Sequence, residues 1–446
     1  MSQYVAALAA AGGAFAIGAA LGWPAPSGSR LVEGDDQYFD ITRSQMDWAA
    51  ATINVGCAIS CLPIGILMRA FGRKWTMIGL VVPFIIGWSL VIWAQNFLML
   101  LAGRFMLGLA GGAFCVSAPQ YSSEIAEKEI RGIVGTFFQL LLNGGILFVY
   151  VIGAYLSVFW STVICGIIPI VFGFIFVFMP ESPVHYVFKK REDDATKSFK
   201  WLRGSKYDPQ PEIDELLEEA QENERNKVSF GQVLSKPGTM RALGIGFGLM
   251  AFQQFSGINI VIFYSTDIFE AADTDLDPDV QTIIVGSVLL VSTLLGSFLV
   301  DRVGRKILLI ISSFFMMLML IALGAYFYLL KDGYEDIASL TWLPLTSLCI
   351  FLVFFSIGYG PIPWLMLSEI YSKEYNAIAS PITGSFNWML AFAITATFGY
   401  ITDAINIGPT FWMFAGLTFL GLLFSIFAIV ETKAKSMAEI QQILAQ

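Results

Sequence analysis

Uncharged amides stand inside stretches that are otherwise apolar at Gln139, Gln253, Gln254, Asn259 and Asn387. A carboxamide offers both donors and acceptors without a charge, and one withdrawn from water is costly unless it finds a partner. Two uses fit such groups. They can replace the hydration of a neutral, hydroxyl-bearing solute, with tryptophan faces such as Trp364 and Trp388 against its C–H surfaces, or they can tie neighbouring helices together. Gln253 and Asn259 lie six residues apart, within two helical turns, with Gln254 and Gly257 between them. Bond-making chemistry has no comparable support. His185 is the one histidine, and no Walker-type nucleotide loop, metal-ligand cluster or nucleophile motif is present, so neither an enzyme nor a cofactor is expected.

A second group of residues is charged and repeated. Gly72-Arg73-Lys74, Glu124-Ile125 and Glu181-Ser182 return in the same order as Gly304-Arg305-Lys306, Glu369-Ile370 and Glu431-Thr432, at offsets of 232, 245 and 250. Charges at the ends of membrane helices are costly unless paired. Arg73, Glu124, Arg131 and Glu181 in one half, with Arg302, Arg305, Glu369 and Glu431 in the other, are therefore expected to form ion pairs that join the halves as a cytoplasmic gate, favour the outward-facing state and break when the inside opens. The alternative is that they serve only as topological anchors. A third group, Gly358, Gly360, Pro361 and Pro363, combines missing backbone donors with permissive glycines. It predicts a broken helix that flexes, or else a static kink.

These residues need membrane helices to position them. The chain is 56% hydrophobic and only 14% charged, where a soluble domain carries about a quarter charged residues. Apolar runs long enough to cross the ~30 Å hydrocarbon core recur twelve times, near 5–25, 46–68, 75–95, 98–121, 133–156, 159–179, 242–268, 280–300, 307–330, 340–367, 378–402 and 409–430. The first is too long for a signal peptide's apolar region and lacks a basic residue before it, so it is expected to remain as a span. Gly108, Gly111 and Gly112 are expected to permit close helix packing. The all-α architecture predicted is a six-helix half over 1–179, a linker over 180–241, a second six-helix half over 242–430 and a short tail over 431–446. Within the linker Ile213, Leu216, Leu217 and Ala220 recur at helical spacing in an acidic surround, which predicts short amphipathic cytoplasmic helices. Of the 26 basic residues, 22 fall on the linker side and only Arg30, Arg43, Arg104 and Lys331 on the other side or at its span ends, which predicts that both termini are cytoplasmic. Duplicated helical units of this kind are the architecture of secondary transporters. The net charge of −9, with no clustered basic surface, excludes nucleic acid as the natural partner. The lipid bilayer is expected instead, with no obligate protein partner.

Over nearly its whole length the chain resembles the sugar porter family of the major facilitator superfamily, and within it the insect facilitated trehalose transporters. The strings that carry the resemblance are Gly65-Ile-Leu-Met-Arg-Ala-Phe-Gly-Arg-Lys74 with Asp301-Arg-Val-Gly-Arg-Lys306, Gly103-Arg104, Pro119-Gln-Tyr-Ser-Ser-Glu124, Arg131-Gly132, Pro180-Glu-Ser-Pro183, Gln253-Gln-Phe-Ser-Gly-Ile-Asn259, Gly360-Pro-Ile-Pro-Trp364, Asn387-Trp388 and Glu431-Thr-Lys433. The resemblance implies that Gln139, Gln253, Gln254, Asn259, Trp364, Asn387 and Trp388 contact a small neutral sugar. It also implies an altered site. Ser356 stands where glucose carriers place a glutamate, while Leu289 and Ala391 stand where they place asparagines, which suggests a roomier cavity compatible with trehalose, a hexose such as glucose, or a polyol. Arg69, Asn376 and Val184 depart from the family's charged pattern, implying a thinner cytoplasmic network. Pro24 occupies a place where proton-coupled relatives often carry aspartate, which favours facilitated diffusion at the plasma membrane. Proton symport through Glu124, Glu369 or Arg104 is the alternative, and a non-transporting sugar sensor is an alternative of another class. The few residues outside the terminal spans offer a sensor little signalling platform.

Overall fold

The computed structural model describes residues 2–34, 39–127, 129–225, 237–334 and 336–445, with the side chains of all but 219–225, 237, 301, 373 and 374 among them. Lys128, Lys227 and Lys236 of the basic linker-side residues lie outside the described residues, as do the side chains of Ala220, Asp301 and Lys373. All regular structure among the described residues is helical.

Eleven helices are long and apolar enough to cross a membrane, and the pair Arg43–Cys61 and Ile64–Phe71, bent by 52°, makes a twelfth candidate. In chain order the spans are Ser2–Glu33, the bent pair, Arg73–Ile92, Phe97–Ile125, Arg131–Tyr155, Val158–Phe176, Gly238–Ala272, Pro278–Val300, Arg305–Lys331, Ile337–Ile370, Tyr375–Ile405 and Ile407–Phe427. Each overlaps one expected apolar run. The first continues beyond residue 25 because Pro24 and Pro26 open a second helix, Pro24–Glu33, which brings Arg30 and Glu33 into the span.

Helices approach closely where a side chain would not fit. A Cβ at Gly108 would collide with the carbonyl of Ile53, and one at Gly112 with the backbone of Cys57, so the fourth span lies against the second as the glycine run predicts. Among its described residues the linker forms three helices, Pro183–Phe188, Glu192–Arg203 and Gln210–Arg225. Val187, Ala195, Phe199 and Ile213 make their small core, with Leu216 and Leu217 against it, as the helical spacing suggests. The tail is more than a loose end: Met437–Ala445 is a helix whose Gln441 Nε2 donates to the carbonyl of Ile370 at 2.8 Å.

Two further spans break, both beside the amides. The seventh divides at Gly257 into Pro237–Phe255 and Ile258–Ala272, with Gly257 in the left-handed region at φ 81°. A broken tenth span was expected, and it divides into Leu343–Ile357 and Ile362–Ile370 around Gly358, Gly360 and Pro361. Irregular backbone at membrane depth is tolerated where protein or a cavity surrounds it, and both breaks face the same cluster of amides.

Candidate functional site

Gln253, Gln254 and Asn259 flank the break in the seventh span and meet Asn387 of the eleventh. Gln254 Nε2 donates to Asn387 Oδ1 at 2.9 Å, Asn259 Nδ2 donates to Gln254 Oε1 at 2.6 Å, and Asn387 Nδ2 donates to Gln253 Oε1 at 2.9 Å and to the carbonyl of Met250 at 3.1 Å. Gln253 Nε2 reaches the tenth span, donating to the carbonyls of Tyr359 at 2.7 Å and Gly360 at 3.0 Å. Four of the expected site residues thus form one uncharged network. In this state they satisfy one another, as helix-tying amides would, while Asn259 is only partly buried and available to a solute.

Trp388 and Ser356 are buried, and Trp388 Nε1 and Ser356 Oγ have no hydrogen-bond partner among the described residues. Each is a group that a hydroxyl could partner. Trp364 is 40% exposed and packs on Gly384 of the eleventh span. Gln139 sits apart in the fifth span. Its Nε2 donates to Asn143 Oδ1 at 3.3 Å, and Asn143 Nδ2 donates to Thr293 Oγ1 of the eighth span at 2.7 Å. Asn143 and Thr293 were missed from sequence, although Asn143 is an uncharged amide in an apolar run and obeys the rule that singled out Gln139.

The charged repeat builds two corners of the same design. Glu181 accepts from the backbone N–H groups of Arg73 at 2.9 Å and Lys74 at 3.1 Å, so its carboxylate covers the N-terminus of the third span. Arg73 pairs with Glu124 at 2.8 Å, and Ser182 Oγ donates to the other Glu124 oxygen. In the second half Glu431 accepts from the N–H groups of Arg305 and Lys306, each at 3.0 Å, Arg305 pairs with Glu369 at 2.8 Å, and Thr432 Oγ1 donates to Glu369. Gly72 at φ 93° and Gly304 at φ 113° start both corners, and a Cβ on either would press into the covering carboxylate.

Burial pushes the Glu181 carboxyl up, against the backbone N–H groups and Arg73 that pull it down. Burial also pushes Glu431 up, but the N–H groups of Lys433, Arg305, Lys306 and Thr432 outweigh it and hold that carboxyl below its usual range. His185 completes the first corner, its Nδ1 3.2 Å from Arg73 Nη1; burial, and next the Arg73 charge, hold its pKa below the ordinary value.

These corners correct the expected gate. Arg73 with Glu124 and Arg305 with Glu369 close within each half rather than across the halves, because each carboxylate is already taken up by helix N–H groups or an arginine of its own half. Arg131 and Arg302 are exposed. Besides Asn143 with Thr293 at mid-span, polar contacts between the halves gather toward the end away from the linker. Arg43 Nη1 is 2.7 Å from Asp267 Oδ1, Arg30 Nη2 is 2.8 Å from Asp279 Oδ2, Tyr150 donates to the carbonyl of Ile262 at 2.6 Å, and Ser44 meets Tyr400 at 2.9 Å. Asp47, one turn after Arg43, is buried at this seam. Sequence reading missed these residues because single acids near span ends look like ordinary solvated groups.

Arg104 is fully buried in the fourth span. Its Nη1 donates to the carbonyl of Ala20 at 2.6 Å and its Nε to that of Ala49 at 3.2 Å, and it lies over the Trp23 ring.

The family model described as "Sugar (and other) transporter" matches residues 14–444. The chain belongs to the sugar transporter family. A facilitated trehalose transporter of Bombyx mori is 39% identical to it over 443 residues, covering 99% of this chain and 86% of that protein. The Culex quinquefasciatus protein of the same description is 36% identical, with 99% and 85% covered, and the Anopheles gambiae one is also 36% identical, though this chain spans 56% of its length. Among solved structures, the E. coli xylose transporter XylE in a partially occluded inward open conformation matches with a TM-score of 0.82 at 23% identity, covering 97% of this chain and 99% of that one. A structure of the same protein, described as a proton:xylose symporter bound to 6-bromo-6-deoxy-D-glucose, gives 0.78 at 22% identity over 99% of each chain. At this identity the likeness is one of fold, and that fold is the major facilitator arrangement expected of a sugar transporter.

Proposed function

We propose that this chain is a facilitative sugar carrier, a uniporter that moves trehalose across a membrane by alternating access. The observation that carries the reading is the amide network at the breaks of the seventh and tenth spans, whose members are uncharged and suit a neutral polyol. The names of the relatives support trehalose in particular. Gln254, Asn259, Asn387, Trp388 and Ser356 are assigned to the sugar from one half, and Gln139 with Asn143 from the other. Trp364 is assigned to its apolar face. The charged corners are assigned to bracing each half as a rigid body, and Gly358 to Pro363 to the bending of the tenth span. The distribution of basic residues supports a cytoplasmic linker, corners and termini, and on that reading the seam at Arg43 and Arg30 faces outward and closes the outside in this state. The cell surface is the membrane proposed.

Proton-coupled symport is the second reading, favoured by the buried carboxylate of Asp47 between the halves. The test is uptake by purified protein in liposomes with a panel of sugars. Labelled trehalose uptake competed by trehalose more strongly than by glucose supports a disaccharide carrier; uptake of labelled glucose without uptake of labelled trehalose makes it a hexose carrier, and absence of sugar uptake removes the reading.

A further inference from the structure

We propose that Asn54 and Thr395 form a second sugar subsite, on the side of the amide network away from the linker, that receives the second ring of a disaccharide. The proposal rests on the reading of the chain as a sugar carrier. Asn54 lies in the second span and Thr395 in the eleventh, and both are 0% exposed. Neither the amide nitrogen and oxygen of Asn54 nor the Thr395 hydroxyl has a hydrogen-bond partner among the described residues. Residues of the same types nearby are bonded. Asn143, Asn259 and Asn387 each donate to a protein oxygen, and Thr383, Thr397 and Thr402 of the eleventh span each donate to the carbonyl four residues back. A buried amide with both ends unmet is costly, and a threonine hydroxyl in a helix has a carbonyl within reach, so two such exceptions on adjacent spans point to a partner from outside the chain.

Register sets the two groups in line with the amide network. The second and eleventh spans lie side by side and run in opposite directions: Ser44 meets Tyr400, and a Cβ on Gly399 would collide with Asp47 Oδ2. Asn54 follows Asp47 by seven residues, two turns along the same face, which carries it about 10 Å from that contact toward mid-membrane, to the level of residue 392. There it stands between Thr395 on the far side from the linker and Trp388 on the near side, whose indole N–H is also unpartnered. Trp388 and Thr395 are seven residues apart and share a face of their own span. Thr395 borders the seventh span too, where Tyr264 donates to its carbonyl at 3.4 Å. From Asn387, bonded to Gln254 in the network, to Thr395 is eight residues, about 12 Å of helix. One pyranose ring does not bridge that length, and two linked rings do. An amide donates and accepts, and a threonine hydroxyl does either, so the pair matches sugar hydroxyls without adding a charge. In this state the contacts of Arg43 with Asp267 and of Ser44 with Tyr400 close the seam above them. Parting of the second and eleventh spans at that end uncovers both groups to a sugar whose first ring lies at the network.

The experiment compares Asn54→Leu and Thr395→Val, which keep size and remove the polar atoms, singly and together. Uptake of labelled trehalose and of labelled glucose is measured in liposomes, and melting temperature is measured without sugar. Each single change is expected to raise the half-saturating trehalose concentration about 5- to 10-fold, and the pair about 30-fold, with maximal uptake and the half-saturating glucose concentration within about twofold of the parent. Melting temperature is expected to hold or rise, because an unmet buried polar group has given way to an apolar one. Overturning results are an unchanged trehalose half-saturation, equal weakening for both sugars, or a melting temperature lower by several degrees, the mark of a lost internal hydrogen bond. If Asn54→Leu does not fold, Thr395→Val decides. A parent that carries glucose and no trehalose overturns the subsite and leaves the sugar-carrier reading standing; a parent that carries neither sugar overturns both.

Discussion

Replacing Arg43 with methionine removes the cation that faces Asp267 at 2.7 Å across the seam between the halves and Asp47 at 3.9 Å on its own helix. The side chains of Asp267 and Asp47 are only 10% and 5% exposed, whereas that of Arg43 is 45% exposed. A fully buried pair broken on one side would cost several kcal/mol, but screening at the exposed arginine reduces the expected loss to about 1–2 kcal/mol. The cost falls on the state in which this end is closed, because opening the seam returns both carboxylates to water. A bias of that size shifts the population about 5- to 30-fold toward opening at this end. Spin labels at Asp40→Cys and Asp403→Cys, both exposed near this end and in opposite halves, read it as growth of a longer distance in pulsed electron resonance. Asp267→Asn in the same background should recover part of the shift, since it removes the charge left unpaired. An unchanged distance distribution in Arg43→Met would refute the role of this seam as the closing contact.

Three further outcomes follow from the geometry. Gln254→Ala deletes the donor to Asn387 and the acceptor from Asn259, so sugar uptake should fall at least about tenfold with surface expression intact; normal uptake would remove the seventh span from the site. Gly72→Ala and Gly304→Ala force a side chain into a positive φ and against a carboxylate, a cost of about 1–3 kcal/mol, so the melting temperature should drop by several degrees, while Gly65→Ala, with open space around it, leaves it unchanged. His185 is held in its neutral form, mainly by burial and then by Arg73, so its contribution is present above its ordinary pKa of 6.5 and lost as pH falls through the lower folded value. Melting temperature should therefore fall on acidification through the range below about pH 6.5, and His185→Gln should flatten that part of the profile; an identical profile in the variant would dismiss the effect.

The spans were legible because the membrane imposes a length on apolar runs, and the repeat because the same carboxylate-on-helix corner is built twice from the same residue types. Which acid pairs with which arginine was not legible. Glu124 and Glu369 stand at matching ends of their spans, and sequence order does not show that Arg73 and Arg305 turn to their own halves. The amides at 253, 254, 259 and 387 were recognisable by type, but their mutual bonding joins positions more than 130 residues apart. Gln253 donates to the carbonyls of Tyr359 and Gly360 in another span, a contact that no local pattern reveals. Asp47 and Asp267 escaped notice because their burial is created by the opposite half.

The central claim is facilitated sugar transport through an uncharged site. It is tested most directly by following labelled trehalose into liposomes carrying the purified protein, with and without an imposed proton gradient. Equilibration of trehalose to the same final level in both conditions is the predicted result. Accumulation above equilibrium driven by the gradient would contradict it and direct attention to the carboxylates at the seam.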